Sequence, residues 1–232
     1  MLQQEVSEVG SYFSIIKAIA AGNHKLSAIA AVLEVKSTNL TKYLKTLMDL
    51  DILERRVPVT EENPEKSKRG LYKIKDNYLR FWFAFIYPNM SFIESGHSGI
   101  VMDKIRRGLT TSHIGFVYED ICQERMWELN VNNAWPFQFS KLGGYWDAKN
   151  EIDIAALDPE GKNLILGECK YWKEPVGLNV LHALETKACD VAWERDRRKV
   201  WYVLFSISGF SDELRNHAAT RDDLLLIDDG ER

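Results

Sequence analysis

Charged residues inside a predicted β-hairpin are the feature that most constrains this chain. The segment from Glu151 to Trp172, EIDIAALDPEGKNLILGECKYW, has two apolar runs separated by an Asp-Pro-Glu-Gly turn, which predicts two antiparallel strands. Asp153, Glu168 and Lys170 interrupt these runs. An unpaired ion that is removed from water costs several kcal/mol or changes its protonation state. The sequence therefore predicts that these charges are compensated within the fold.

The expected register of the hairpin brings the charges together. A turn centred on residues 159–160 would place Asp153 opposite Leu166. Because side chains alternate along a strand, Leu166, Glu168 and Lys170 share one face. Asp153 and Glu168 would then be diagonal neighbours, with Lys170 one step farther along. Glu185 and Lys187, in the helical segment that follows, could face this cluster, but we expect them on a solvated helix face.

Two chemistries account for such a cluster. Close carboxylates repel each other unless a cation lies between them, and hard divalent ions such as Mg²⁺ bind one or two carboxylates together with water and phosphate oxygens. A metal-bound water is a nucleophile, and Lys170 would stabilise negative charge on a phosphoryl group. The alternative is a cross-strand salt bridge between Lys170 and a carboxylate at a sheet edge, because Glu-x-Lys triplets are common.

The segments on both sides of the hairpin alternate between helical and strand patterns. The patterns predict helices over 112–129, 178–193 and 211–221, and strands over 135–141, 199–206 and 223–228. Glu119 falls in the first of these helices, and Gly143-Gly144 is expected to end the first strand. Alternating strands and helices predict a layered α/β structure.

The first third of the chain has a different pattern. It predicts three short helices over 11–21, 27–35 and 37–50, then strands over 52–60 and 70–76. This order is typical of a winged helix-turn-helix, whose third helix would enter a major groove of DNA. Outward polar residues of the third helix and of the wing are the candidate DNA contacts: Thr38, Asn39, Lys42, Lys45, Arg55, Lys68 and Arg69. The alternative is a protein-contact module with solvated lysines.

Composition restricts the setting of the chain. Its 232 residues carry a net charge of −4, with thirteen basic and ten acidic side chains up to residue 80 and an acidic remainder. The three cysteines are odd in number and widely spaced, which favours a reducing cytoplasm over a disulfide framework or a zinc site. The start, MLQQEVSEV, does not resemble a secretory signal. The densest apolar run, 79–87, is about half the length that a membrane span needs, so its aromatic residues are expected to be buried and no membrane partner is expected.

The charged cluster and its surroundings resemble the PD-(D/E)xK nuclease superfamily, whose core runs helix, three strands, helix and strand. The resemblance covers roughly 112–206. It implies that Asp153 and Glu168 bind a divalent metal, Mg²⁺ or Mn²⁺, and that Lys170 assists hydrolysis of a phosphodiester. A glutamate on the first helix, here Glu119, often completes the site. Ile152 stands where the family motif has its Pro.

The whole chain resembles the C-terminal half of archaeal-type AAA+ ATPases of the DEXX-box kind, through YLRFWFAFIYPN, FVYEDICQE and EIDIAAL…GECKYW. Members of that family carry a nuclease-like domain of unknown function. An ATPase module is therefore an implied partner, in cis or in trans. The chain itself has no GxxxxGK[ST] loop, because its one Gly-Lys pair, Gly161-Lys162, is followed by Asn163. We expect no ATP binding by that means.

These patterns together predict an α/β protein with a winged helix-turn-helix over 1–80, an aromatic helical linker over 81–111 and a PD-(D/E)xK restriction-endonuclease-like α-β-β-β-α-β domain over 112–232. The expected activity is metal-dependent hydrolysis of DNA phosphodiesters. The alternative is a catalytically inactive DNA-binding or protein-docking module of an ATPase.

Overall fold

The chain is mixed α/β and divides into two compact units. The computed structural model describes residues 2–230, and of residues 2–9 and 111–112 it describes only the backbone. The first unit comprises residues up to 57 and 63–109, and the second comprises 58–62 and the chain from 110 onward. Within the described residues, every helix is too short or too polar to cross a membrane.

Helices and one small sheet form the start of the first unit. They are α1 (Leu2–Ala20), α2 (Leu26–Val32), α3 (Ser37–Asp49), β1 (Leu53–Arg56) and β2 (Leu71–Ile74). The two strands pair antiparallel, with Leu53 opposite Ile74. Leu40, Leu44 and Leu47 form the buried face of α3, at the helical spacing seen in the sequence. They pack with buried residues of α1, α2 and both strands.

Two helix boundaries of the first unit differ from the sequence prediction. Helix α1 begins at Leu2 and not at residue 11. Helix α2 ends at Val32 instead of continuing to residue 35. Glu34 has a φ of 54°, and a left-handed residue of this kind ends an α-helix.

The aromatic segment belongs to the first unit, and its residues Phe83 and Phe85 are buried. It runs through α4 (Asn77–Phe81), a π-helical turn (Trp82–Ile86) and a 3₁₀ turn (Tyr87–Asn89), followed by α5 (Met90–Glu94) and α6 (Ser98–Leu109). Phe83 packs into the core formed with α1 and α3, whereas Phe85 packs against Val101 and Ile105 of α6. The predicted burial is confirmed for Phe83 and Phe85.

A five-stranded mixed sheet is the centre of the second unit. Its strands, in spatial as well as sequence order, are β3 (Lys141–Trp146), β4 (Glu151–Leu157), β5 (Asn163–Lys170), β6 (Lys199–Ser206) and β7 (Leu224–Asp228). The first two pairings are antiparallel, and the last two are parallel.

Helices cover both faces of this sheet. After a π-helical turn (Thr110–Ile114), α7 (Gly115–Val131) packs through Tyr118, Cys122 and Met126 on one face. The helices α8 (Leu178–Asp190) and α9 (Asp212–Ala218) pack on the other. Alternate residues of β5 enter the two cores, as a strand that is buried on both sides requires.

The predicted strand over 135–141 was wrong, because β3 begins only at Lys141. The side-chain amide of Asn130 donates to the Phe139 carbonyl at 3.1 Å and accepts from the Phe139 N–H at 3.0 Å. Both backbone groups of Phe139 are therefore occupied before a ladder can form. Gly143 and Gly144 lie inside β3 instead of ending the strand.

The hairpin register also differs from the expected one. The carboxylate of Asp158 accepts hydrogen bonds from the Lys162 N–H at 2.9 Å and from the Asn163 side-chain amide at 2.6 Å. This widens the turn, and Ala155, two residues from Asp153, becomes the partner of Leu166.

A β-bulge in β4 lies at the predicted site. Gly143 is opposite Ala155 and Tyr145 is opposite Ile152, so β4 has one more residue than β3 over this stretch. Ile152 consequently packs with Tyr145 in the core on the α8 face, whereas Ile154 packs on the α7 face. A regular strand would place the two isoleucines on one face. Bulges redirect side chains, and this one contains Asp153.

Close approach of β5 and β6 gives a test of the sheet. A Cβ on Gly167 would lie 2.8 Å from the Val203 carbonyl oxygen. We expect Gly167→Ala to lower the free energy of unfolding by about 1–3 kcal/mol, because an overpacked backbone contact cannot relax. Urea denaturation followed by tryptophan fluorescence measures this change, since all seven tryptophans except Trp82 lie in the second unit.

Gly143→Ala is the matched control for that measurement. Its Cβ would meet Val59 at 3.5 Å, which is an ordinary contact. Equal stability of the two variants would contradict the close approach of β5 and β6.

Candidate active site

Glu168 is a buried carboxylate held between two ammonium groups. It is 4% exposed, and it lies on the face of β5 that α8 covers. The Nζ of Lys170 donates to its Oε2, and the Nζ of Lys187 donates to its Oε1 at 2.6 Å. Lys187 also donates to the Glu151 carbonyl at 2.8 Å. Both oxygens of the Glu168 carboxylate are thus paired with positive charge.

Asp153 brings a second carboxylate to the same place from β4. Its Oδ2 accepts a hydrogen bond from the Cys169 N–H at 2.9 Å and lies 3.5 Å from the Nζ of Lys170. Lys170 therefore contacts both carboxylates. The structure brings together three of the residues singled out in the sequence, Asp153, Glu168 and Lys170.

The two carboxylates differ in their electrostatics. Burial, and then the negative charge of Glu168, raise the pKa of Asp153 above its usual range. Burial alone would also raise the pKa of Glu168, but its contacts with Lys170 and Lys187 outweigh burial and lower the pKa. The two carboxylates raise the pKa of Lys170 against the opposing effect of burial. Glu168 is therefore the better compensated carboxylate, and Asp153 is the less compensated one.

Lys187 is a site residue that the sequence prediction placed on a solvated face. Val180, Leu181, Leu184 and Ala188 bury one side of α8 against the sheet, and Lys187 flanks that stripe. Its half-buried side chain therefore runs along the sheet to Glu168. The signal available in the sequence was its position next to Ala188, at the edge of the apolar stripe. Glu185, its neighbour on the helix, pairs with Arg221 instead.

Glu119 comes from α7, which packs on the opposite face of the sheet. Its side chain is half-buried, and its charge contributes to the raised pKa of the Cys169 thiol, after burial, the contact with Cys122 and the charge of Asp153. Glu119 belongs to the helix that packs on the Cys169 face of the sheet, whereas Glu168 and Lys170 lie on the α8 side. Across the described part of the chain, no three His, Cys, Asp or Glu side chains are arranged as a ready metal-binding group.

The donor set at Asp153 and Glu168 fits a hard divalent cation. Two carboxylates with oxygens on adjacent strands are the ligands that Mg²⁺ takes together with water and phosphate oxygens. Burial, and then the charge of Glu168, raise the pKa of Asp153 although Lys170 and Lys187 act to lower it. A divalent cation beside Asp153 would favour the charged form of this carboxylate.

The candidate DNA contacts of the first unit divide into two groups. Six of them are exposed, on α3 or on the loop between β1 and β2: Thr38, Asn39, Lys42, Lys45, Lys68 and Arg69. Arg55 is half-buried, and its guanidinium donates to the carbonyls of Pro64 at 2.8 Å and Ser67 at 2.6 Å. Arg55 therefore fixes the loop in place.

The raised pKa of Asp153 predicts how stability depends on pH. A carboxyl group with a higher pKa in the folded chain stabilises the fold below the unfolded pKa, and this contribution is lost as the pH rises through the folded pKa. Asn keeps an oxygen for the Cys169 N–H but carries no charge. We expect Asp153→Asn to raise the melting temperature at pH 7.5, with a gain that shrinks as the pH falls toward the usual range for Asp.

Thermal unfolding followed by tryptophan fluorescence checks this expectation. Asp222→Asn, at an exposed carboxylate of the same unit, is the control for removal of one negative charge. A gain in melting temperature that does not change with pH, or a less stable Asp153→Asn variant at pH 7.5, would contradict a raised pKa of Asp153 in the folded chain.

Similar proteins are known at the level of sequence and of structure. Residues 82–188 match the model of the DUF234 family, described as archaeal and bacterial proteins of unknown function. A curated relative, the uncharacterized protein MJECL04 of Methanocaldococcus jannaschii, is 40% identical over 174 residues, which are 75% of this chain and 38% of that protein. The chain thus spans well under half the length of this relative. The crystal structure of a repair endonuclease from Pyrococcus abyssi is similar with a TM-score of 0.29 and 13% identity, over 44% of each chain.

Proposed function

We propose that this chain is a metal-dependent DNA phosphodiester hydrolase of the PD-(D/E)xK type with a DNA-binding winged helix. The observation that carries the proposal is the contact of Lys170 with both Asp153 and Glu168 at neighbouring strands of the sheet. The order of α7, three antiparallel strands, α8 and β6 supports it, because this is the order in the core of that superfamily.

Each residue of the site has a separate task in this proposal. Asp153 and Glu168 would hold the cation, Mg²⁺ or Mn²⁺. When bound, such a cation supplies an activated water and offsets charge on the phosphoryl group. Lys170, half-buried beside both carboxylates, would orient the scissile phosphate and stabilise its developing charge as a compact point charge. Lys187 would hold Glu168 in position from α8.

Glu119 enters the proposal through the family resemblance. Its helix, α7, packs on the face of the sheet opposite the one that carries Glu168, so Glu119 would act on the site less directly than Asp153. We therefore expect Glu119→Ala to weaken metal binding less than Asp153→Ala does.

DNA docking is proposed for the exposed face of α3 and for the loop that joins β1 and β2. Lys42 and Lys45 lie one turn apart on α3, with the buried leucines on the other side of the helix. In a winged helix this face, with Thr38, Asn39 and the two lysines, would contact backbone phosphates or base edges.

A second candidate function is a catalytically inactive DNA-binding or docking module of an ATPase, joined to it in cis or in trans. One observation favours it: Lys170 and Lys187 already neutralise both oxygens of Glu168. A nuclease-like domain without catalytic activity can retain these ion pairs because they stabilise its core. The resemblance to DEXX-box ATPases supplies the expected partner.

Cleavage of plasmid and branched DNA in Mg²⁺ or Mn²⁺ tests the first candidate. We expect the chain to cut, and Asp153→Ala and Lys170→Ala to lose cutting by at least about a hundredfold, because each removes a group needed at the reacting phosphate. Glu151→Ala is the matched control, since this carboxylate is exposed and only its backbone carbonyl reaches Lys187.

Calorimetric titration with Mn²⁺ separates binding from chemistry. Binding to the chain and to Glu151→Ala, but not to Asp153→Ala, is the expected result. Equal binding to all three would refute the metal site, and metal-independent DNA binding without cutting would favour the docking module.

The DNA footprint of α3 has its own test. Removing one lysine that binds a backbone phosphate should reduce the slope of log affinity against log salt by about one, so Lys42→Ala/Lys45→Ala should reduce it by about two. Lys17→Ala/Lys173→Ala removes the same charge from exposed positions outside α3. A slope that falls equally in both double variants would mean that general charge, not α3, binds the DNA.

A further inference from the structure

The first unit contains a cleft whose polar walls carry positive charge. It has a volume of about 340 Å³. Three cationic side chains and three serines are among the residues that line it: Lys25, Arg55, Lys68, Ser27, Ser37 and Ser67. Among the lining residues that the structure describes, none is acidic. We call this feature the basic cleft.

Arg55 is held in one place at the wall of the basic cleft. Its guanidinium donates to the carbonyls of Pro64 and Ser67, which lie on the loop that returns to β2. Gly70 leaves room for it, because a Cβ there would lie 2.6 Å from the Arg55 Cζ. A guanidinium has five N–H donors, and these two bonds use two of them. The cation is therefore oriented before any ligand arrives.

The backbone at Lys25, another lining residue, is held by pairing with β2. It forms an antiparallel bridge with Leu71, and the Tyr72 N–H donates to the His24 carbonyl at 2.8 Å. The segment that carries Lys25 and Ser27 is thus tied to the strand that ends the loop. Lys68 is exposed on that loop, between Ser67 and Gly70. Three cations therefore converge from two pieces of backbone that are joined to each other.

We propose that the basic cleft binds a phosphate group. Three cations near one another repel unless an anion lies between them, and the serine hydroxyls can donate to an acceptor with several oxygens. A phosphate matches this set better than a carboxylate, because its tetrahedral oxygens accept from an arginine, lysines and hydroxyls together. The phosphate comes either from a DNA backbone, a source that rests on the proposed function, or from a free phosphate compound, which does not.

Amide NMR of the full chain, titrated with inorganic phosphate against chloride at equal ionic strength, tests the proposal. We expect saturable shifts at the amides of Ser27, Ser67, Lys68 and Gly70. Lys68→Ala should weaken phosphate binding roughly tenfold, as the loss of one charged hydrogen bond does. Lys66→Ala is the matched control, because it removes an exposed lysine of the same loop that does not line the cleft. A titration without saturable shifts at these amides, or equal weakening by the two variants, would overturn the proposal.

A second arm identifies the source of the phosphate. A short DNA duplex is added to the phosphate-loaded chain without metal, in the Asp153→Ala background, so that no cutting can occur. Release of the bound inorganic phosphate by the duplex, followed by phosphorus NMR, assigns the cleft to backbone phosphate, and retention of the bound phosphate assigns it to a free phosphate compound. Either result supports the phosphate site. Because metal and catalysis are absent, failure of the proposed hydrolase would leave this outcome unchanged.

Discussion

The buried carboxylate of Glu168 is the constraint on which the second unit depends. It lies in the central strand β5, where a charge without partners would destabilise the fold by several kcal/mol. Two ammonium groups offset that penalty, one from two residues farther along the same strand and one from α8. The hydrogen bond between Lys187 and Glu168 forms only when α8 lies at one position relative to β5. The packing of α8 is thus set by an ion pair as well as by its apolar stripe.

Asp153 reaches this ion pair because of two local irregularities, one in the hairpin turn and one at Asp153 itself. The side chain of Asp158 widens the hairpin turn and shifts the register, and the bulge in β4 changes the direction of the residues around Asp153. With a regular ladder and a two-residue turn, Asp153 would lie opposite Leu166. Instead, its Oδ2 reaches the Cys169 N–H, within the Glu-Cys-Lys stretch itself. Irregular backbone therefore assembles the site, which is where bulges are commonly found.

Much of the second unit, but not this assembly, can be predicted from the sequence. Strands at 199–206 and 224–228 and the helix that begins at Leu178 follow from periodicity, because strongly patterned segments have few alternatives. The start of β3 depends on Asn130, a residue on another element, and the register depends on side-chain hydrogen bonds within the turn. The role of Lys187 depends on which way α8 is rotated, and a lysine beside an apolar stripe is compatible with solvent as well. The start of β3, the hairpin register and the rotation of α8 depend on side-chain contacts that the periodicity of a single segment does not reveal.

The two lysines also decide how folding and ligand binding are related. Because they neutralise Glu168 within the chain itself, the strands and α8 can pack without a bound cation. If a metal ion were the only compensation for these carboxylates, the fold would be unstable without the metal. A variant that lost metal binding could then have lost either the metal ligand or the fold. Here the least compensated group is Asp153, whose raised pKa reflects burial and the charge of Glu168. Removing the Asp153 carboxylate therefore relieves a burial penalty while it deletes a proposed ligand. Loss of metal binding in such a variant would report on the site and not on the stability of the fold.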